Sequence, residues 1–111
     1  MGVRLILRES ELTAVLSGEI DHHSAREIRG AIDEAAAKVK PKLLILDFSG
    51  VQFMDSSGVG LIMGRCKLMQ LWNGRVKIAN LQPKIEKIVN LAGLNQLCSI
   101  VKDVKINEAN E

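Results

Sequence analysis

Apolar and polar residues alternate from Val3 to Arg8, the period of a strand with one more polar face. The polar turn Glu9-Ser10-Glu11 leads to a second alternating run, Leu12 to Leu16, so the chain is expected to open with a hairpin whose second strand ends at Gly18. Ser24-Ala25-Arg26-Glu27 has the form of a capping box and is expected to start a helix. Ala25, Ile28, Ile32, Ala35, Ala36 and Val39 form its apolar stripe, and Pro41 stops it. Leu43 to Ser49 is nearly continuous in hydrophobicity, as a central strand would be. From Val59 to Leu71 the spacing becomes helical again: Val59, Ile62, Met63, Cys66 and Met69 face the core, Arg65 and Lys67 point to solvent, and Asn73-Gly74 ends the helix. Arg75 to Ala79 alternates as a strand, and Pro83 opens a third helix carrying Ile85, Ile88, Val89 and Ala92. Gly93-Leu94 suits a Schellman ending, and Cys98 to Val101 suits a short last strand. Residues 103–111 are polar, and the pattern leaves a short helix and a frayed tail equally open.

Strand and helix thus alternate after a hairpin, which predicts a single α/β domain over residues 1–111. Its sheet should be mixed, mainly parallel and four- to five-stranded, with helices mainly on one face and the other face thinly covered. Only 3% of residues are aromatic, so the core must be aliphatic. A net charge of +2 with interspersed signs gives no basic stripe, which argues against direct nucleic-acid binding. Cys66 and Cys98 each fall in apolar patterns and read as reduced core residues, suited to a reducing cytosol. With no signal-like segment and no run long enough to span a bilayer, a cytoplasmic protein without membrane contact is expected.

Candidate chemistry concentrates in Phe53-Met54-Asp55-Ser56-Ser57-Gly58-Val59-Gly60, between an apolar strand and a helix. A helix start exposes unbonded N–H groups and the positive end of the dipole, so an anion such as phosphate is stabilised there. Capping alone accounts for one of Asp55, Ser56 and Ser57. Gly58 and Gly60 cost about 1 kcal/mol each in helix propensity, which suits a place another molecule must approach. Asp21-His22-His23-Ser24 should lie on the same rim, beyond the carboxyl ends of the parallel strands. Ser57, His22 or His23, and Asp55 or Asp21 supply the types of a hydrolytic triad, but Gly-x-Ser-x-Gly is absent, so no catalytic residue and no enzyme is assigned. Adjacent histidines without a third ligand at a recognised spacing give no metal site, and no phosphate-loop motif calls for a nucleotide cofactor. Trp72, at a helix end, suits either packing or a rim contact.

Gly18-Glu19-Ile20-Asp21-His22-His23, the stretch Phe53 to Gly60, Gly64-Arg65 and Gly93-Leu94 occur in the order found in one family. The chain resembles the anti-sigma factor antagonists of the STAS domain family, in particular its sporulation branch, over nearly its whole length. The resemblance implies a partner switch in transcription regulation. The unphosphorylated antagonist binds an anti-sigma factor that is also a serine kinase, the sigma factor is released, phosphorylation ends the interaction, and a serine phosphatase resets it. The phosphoacceptor falls on Ser57, with Ser56 shaping the loop. Asp21, His22, His23, Asp55, Ser56, Ser57, Gly58 and Gly60 become the partner-binding surface. Family members often end in an apolar helix, from which the short polar stretch after Lys102 departs. The alternative is a STAS scaffold component of a larger signalling assembly.

Overall fold

The computed structural model describes residues 2–102, 104 and 105. Strands β1 (Val3–Arg8) and β2 (Glu11–Ile20) form the hairpin. Helix α1 (His22–Val39), strand β3 (Leu43–Met54), helix α2 (Ser56–Leu71), strand β4 (Arg75–Ala79), helix α3 (Pro83–Leu91), a 3-10 turn (Leu94–Gln96) and strand β5 (Ser99–Val101) follow. Strand order in the sheet is the order in the chain; β1 and β2 are antiparallel, and every later pair is parallel. Each helical crossover therefore steps one strand in the same direction and lays its helix on the same face. On that face Leu12, Ala14 and Leu16 of β2, Leu44, Leu46 and Phe48 of β3, and Val76 and Ile78 of β4 meet Ile28 and Ile32 of α1, Ile62 and Met69 of α2, and Ile85 and Val89 of α3. The aliphatic composition thus becomes one core between sheet and helices.

Two strands run further than their apolar patterns suggest. Gly18 does not end β2: it sits inside the strand at φ +82°, where the β2–β3 register shifts, and pairing resumes to Ile20. A left-handed residue within a strand marks such an irregularity, and glycine adopts it without strain. Strand β3 continues past Ser49 to Met54, because Gly50, Val51, Phe53 and Met54 still have parallel partners in β2, with Gln52 passed over at the register shift. Pairing overrides the local pattern here.

The clean stops are where the sequence puts them. Lys40 caps α1 in the left-handed region just before Pro41, and Asn73 takes φ 59° after α2. Gly93 is left-handed and Leu94 fully buried, but the chain then tightens into the 3-10 turn, with the Gly93 N–H donating to the Asn90 carbonyl. Val39 and Ala92, expected on apolar stripes, are exposed at their helix ends. Trp72 packs against the core at the C-terminal end of α2, about 24 Å along a 16-residue helix from its start, so it is a packing residue and not a rim contact. The expectation for residues 103–111 lies largely outside the described residues.

Arg65 does not reach solvent. It is 6% exposed between α1 and α2, with Nε 2.9 Å from Asp33 Oδ1. The approach is close but too bent for a hydrogen bond, and Nη1 is buried without a partner. Burial lowers the Arg65 pKa, Asp33 acts against that, and Arg29 adds to it. A second polar anchor, Asp47 on β3, is also buried: its Oδ1 accepts from the Ser49 N–H and from Asn80 Nδ2, both at 3.0 Å. Asn80 in turn exchanges hydrogen bonds with the backbone of Val104, which ties the chain beyond β5 to the sheet.

Cys66 on α2 and Cys98 before β5 are joined in a disulfide, which replaces the expectation of two free thiols. Both are core positions, as their patterns indicate, but packing brings their Cα atoms to 6.7 Å, within bridging range. Both also border a cleft of about 370 Å³ between the C-terminal half of α2, the start of β4 and the 3-10 turn leading into β5.

Two stability measurements follow from these contacts. Reduction of a bridge across a sequence separation of 32 is expected to lower unfolding free energy by about 3 to 4 kcal/mol in the chain-entropy account, read from urea melts of oxidised and reduced protein. Asp33→Ala leaves Arg65 buried without its counter-charge. Because Asp33 is 37% exposed and solvent screens the pair, about 1 to 2 kcal/mol is expected rather than the larger cost of a fully buried pair. Arg65→Met, which removes the charge and keeps the volume, should cost less than Asp33→Ala in the same melts.

Candidate functional site

The site is built where β2 and β3 end together. Ile20 pairs with Met54, and the next residue on each strand is an aspartate that caps a helix. The Asp55 N–H donates to the Ile20 carbonyl at 3.1 Å, so the ladder extends one step into the loop and holds the two helix starts side by side. The two polar loops expected on one rim are therefore adjacent, as the rule for open parallel sheets requires.

Both helices begin earlier than the sequence pattern indicates. Helix α1 is capped by Asp21, not Ser24: Asp21 Oδ1 accepts from the Ser24 N–H and Ser24 Oγ accepts from the Asp21 N–H, each at 2.9 Å. The capping box is Asp21 with Ser24, and Glu27 has no part in it. The Ser24 hydroxyl also donates to the Glu19 carbonyl at 2.9 Å, fixing the turn out of β2. The Ser24 backbone N–H lowers the pKa of the Asp21 carboxyl from its ordinary value, so it is charged throughout the neutral range. Helix α2 starts at Ser56 rather than Val59, capped by Asp55, whose Oδ1 accepts from the Ser57 N–H at 2.8 Å. Asp and Ser both cap well, so the serines were free to enter the first turn once Asp55 took the cap.

This assigns distinct places to the candidate residues. Ser56 is exposed at the first position of α2, while Ser57 is half-buried at the second, its N–H engaged and its side chain bordering a groove of about 260 Å³ between α1 and α2. His22 borders the same groove. His23 points away, 85% exposed, with Nε2 4.0 Å from Glu27 Oε2. Among the described residues no hydrogen bond joins the Ser57 hydroxyl to either imidazole, and no three His, Cys, Asp or Glu side chains gather as a metal would need. Gly58 is buried, and a Cβ there would run into the Met54 side chain, so its glycine is required from inside the protein. Gly60 is exposed with open space at its Cβ position, which leaves it the only one of the two glycines suited to close approach from outside. Sequence reasoning left Phe53 unassigned; it is 50% exposed at the end of β3, beside the rim. An aromatic residue two places before the aspartate cap was the available signal.

The geometry offers two adjacent helix N-termini and a half-buried hydroxyl beside them that, among the described residues, donates no hydrogen bond to a potential base. The sequence matches the STAS domain family over residues 5–106. The chain belongs to that family. It is 34% identical over 96 residues to an anti-sigma F factor antagonist of Paenibacillus polymyxa, covering 86% of this chain and 81% of that one. To an anti-sigma F factor antagonist of Lysinibacillus sphaericus it is 35% identical over 92 residues, with 83% and 78% covered. The unphosphorylated form of the anti-sigma factor antagonist SpoIIAA superposes with a TM-score of 0.82 at 30% identity, over 93% of this chain and 89% of that one. The phosphorylated form of the Bacillus SpoIIAA superposes with 0.76 at 30% identity, over 93% and 92%. The STAS fold is thus the mixed five-stranded sheet with one helical layer described above.

The two glycines of α2 separate in a simple comparison. Gly58→Ala should lower stability by about 1 to 3 kcal/mol through overpacking on Met54. Gly60→Ala, in open space within the helix, should raise it by up to about 1 kcal/mol. Thermal melts of both variants check the pair, and equal effects would contradict the packing described.

Proposed function

We propose that this STAS domain is an anti-sigma factor antagonist that acts in the cytoplasm as a partner switch in sporulation. In its unphosphorylated form it binds an anti-sigma factor serine kinase and so releases a sigma factor. The kinase then phosphorylates Ser57, the complex parts, and a serine phosphatase resets it. The observation that carries this reading is the place of Ser57: a hydroxyl without a hydrogen-bond partner among the described residues, at the second position of α2, beside a second helix start. Relatives named anti-sigma factor antagonists, one of them solved in unphosphorylated and phosphorylated forms, support it. The domain works by binding and is not an enzyme, nor does it contact nucleic acid or membrane. No helix among the described residues is long and apolar enough to cross a bilayer. In a reducing compartment the Cys66–Cys98 pair would stand as two thiols.

The chemistry of the switch follows from the surroundings of Ser57. A phosphoserine carries about −1.5 to −2 charges at neutral pH, which a helix N-terminus tolerates. The backbone hydrogen bonds of the site do not use the Ser57 hydroxyl, so the frame need not move. Outside the frame, the added bulk and charge stand beside Asp55, Asp21 and Gly60 on the surface a partner must cover. The partner-binding set is then Asp21, His22, His23, Asp55, Ser56, Ser57 and Gly60, with Gly58 contributing only through backbone.

Incubation with the anti-sigma factor kinase of the same organism and ATP should add one phosphate, mapped by peptide mass spectrometry to Ser57 and retained in Ser56→Ala. Ser57→Ala should bind the kinase and resist modification. Ser57→Asp should melt near wild type yet bind at least a hundredfold more weakly, about 2.7 kcal/mol. A phosphate mapped to Ser56 or Ser24, or equal binding of phosphorylated and unmodified protein, would refute the reading. Replacing His22 and His23 together by Ala should weaken binding without unfolding.

A further inference from the structure

The groove beside Ser57 carries a charge pattern that the phosphoacceptor role does not use. Ala25 and Leu61, both buried, and Gly60 give it an apolar floor. Arg26 and Arg29, nearly one turn apart on α1, border it with exposed side chains. Among the described residues neither arginine has an ion pair or hydrogen bond through its side chain. Asp33 faces Arg65, Asp21 and Asp55 cap the helices, and Glu27, 4.0 Å from His23, makes no ion pair with either arginine. Arg65 is near enough to feel the charge of Arg29, and its own buried Nη1 lacks a partner. Of these three guanidiniums, only that of Arg65 on α2 has a carboxylate opposite it among the described residues, and that carboxylate is Asp33.

We infer that the groove is the part of the partner surface that receives an acidic segment of the anti-sigma factor, its carboxylates on Arg26 and Arg29 and an aliphatic side chain on the floor of Ala25 and Leu61. This rests on the function proposed above and names the chemistry of the partner at that site. A guanidinium's planar fork pairs a carboxylate with two hydrogen bonds, and such pairs are strongest where an apolar surround excludes water. Two exposed forks without an ion pair among the described residues supply the first condition, and a partner seated on the apolar floor would supply the second. The adjacency to Ser57 gives the groove its regulation. A phosphoryl group on that hydroxyl enters the same space, occupies it and meets the same cations, so modification removes the carboxylate's place without altering the fold.

The test measures equilibrium binding of the anti-sigma factor kinase to wild type, Arg26→Glu/Arg29→Glu, Arg26→Gln/Arg29→Gln and Arg26→Lys/Arg29→Lys. Circular dichroism and melting temperature are recorded for each variant. Both positions are exposed and unpaired, so all should fold. The Glu pair should bind at least tenfold more weakly and the Gln pair less weakly than that, while the Lys pair, which keeps the charge and loses the fork, should fall between wild type and the Gln pair. Wild-type association should slow as salt rises, with a smaller salt effect in the Gln pair. Unchanged affinity in folded Glu and Gln variants overturns the inference. It is also overturned if the variants bind normally when unmodified and regain binding when phosphorylated, since the arginines would then serve only the protein's own phosphate. Wild-type protein that binds no such kinase defeats the functional reading, and the inference with it.

Discussion

Everything at the rim depends on one parallel pairing, Ile20 with Met54, closed by the hydrogen bond from Asp55 to the Ile20 carbonyl. It makes α1 and α2 start at the same height, with their positive dipole ends side by side. Two like poles at that distance repel, each equivalent to roughly half an elementary charge. An aspartate at each cap answers this: Asp21 and Asp55 supply negative charge where both ends need it and take up one orphan N–H apiece. The rim is therefore already electrostatically settled before any partner arrives. What it offers outward is the ungripped hydroxyl of Ser57 and the surfaces beside it.

That division between a settled frame and an ungripped group suits a switch. The carboxylate caps and the strand ladder use backbone N–H groups and leave side-chain hydroxyls at the first turn of α2 unused. A change made on such a hydroxyl alters shape and charge at the surface and leaves the hydrogen bonds beneath it in place. Gly58 contributes to the same rigidity from below, since the Met54 side chain fills the space a larger residue would take. The first turn is held by packing as well as by its cap.

Much of this was legible in the sequence. Alternation and helical spacing gave the order of elements, and the crossover rule placed Asp21 to Ser24 beside Asp55 to Gly58. The misses have physical reasons. Gly50, Val51, Phe53 and Met54 pair with β2 although Gly50 and the unpaired Gln52 interrupt the apolar run, because a ladder partner counts for more than local pattern. The helix starts were displaced because Asp, Ser and their neighbours offer several equivalent caps, and only the strand ends decide among them. Arg65 read as a surface residue because a charged position on a helix is usually solvated; its partner Asp33 lies 32 residues away on another helix. The disulfide, the tight packing at Gly58 and the meeting of Arg26 and Arg29 with Ser57 likewise depend on neighbours in space, not in sequence.

Because strand order in the sheet follows chain order, the rim is assembled from residues 18–61 alone, and β4, α3 and β5 only extend the sheet away from it. During synthesis, which proceeds from the N-terminus, the whole rim is made before β4 and β5 exist. Substitutions in that later half can reach the rim only by loosening the common core. The two halves of the chain thus carry different constraints: the first sets the geometry of the rim, the second the stability of the sheet.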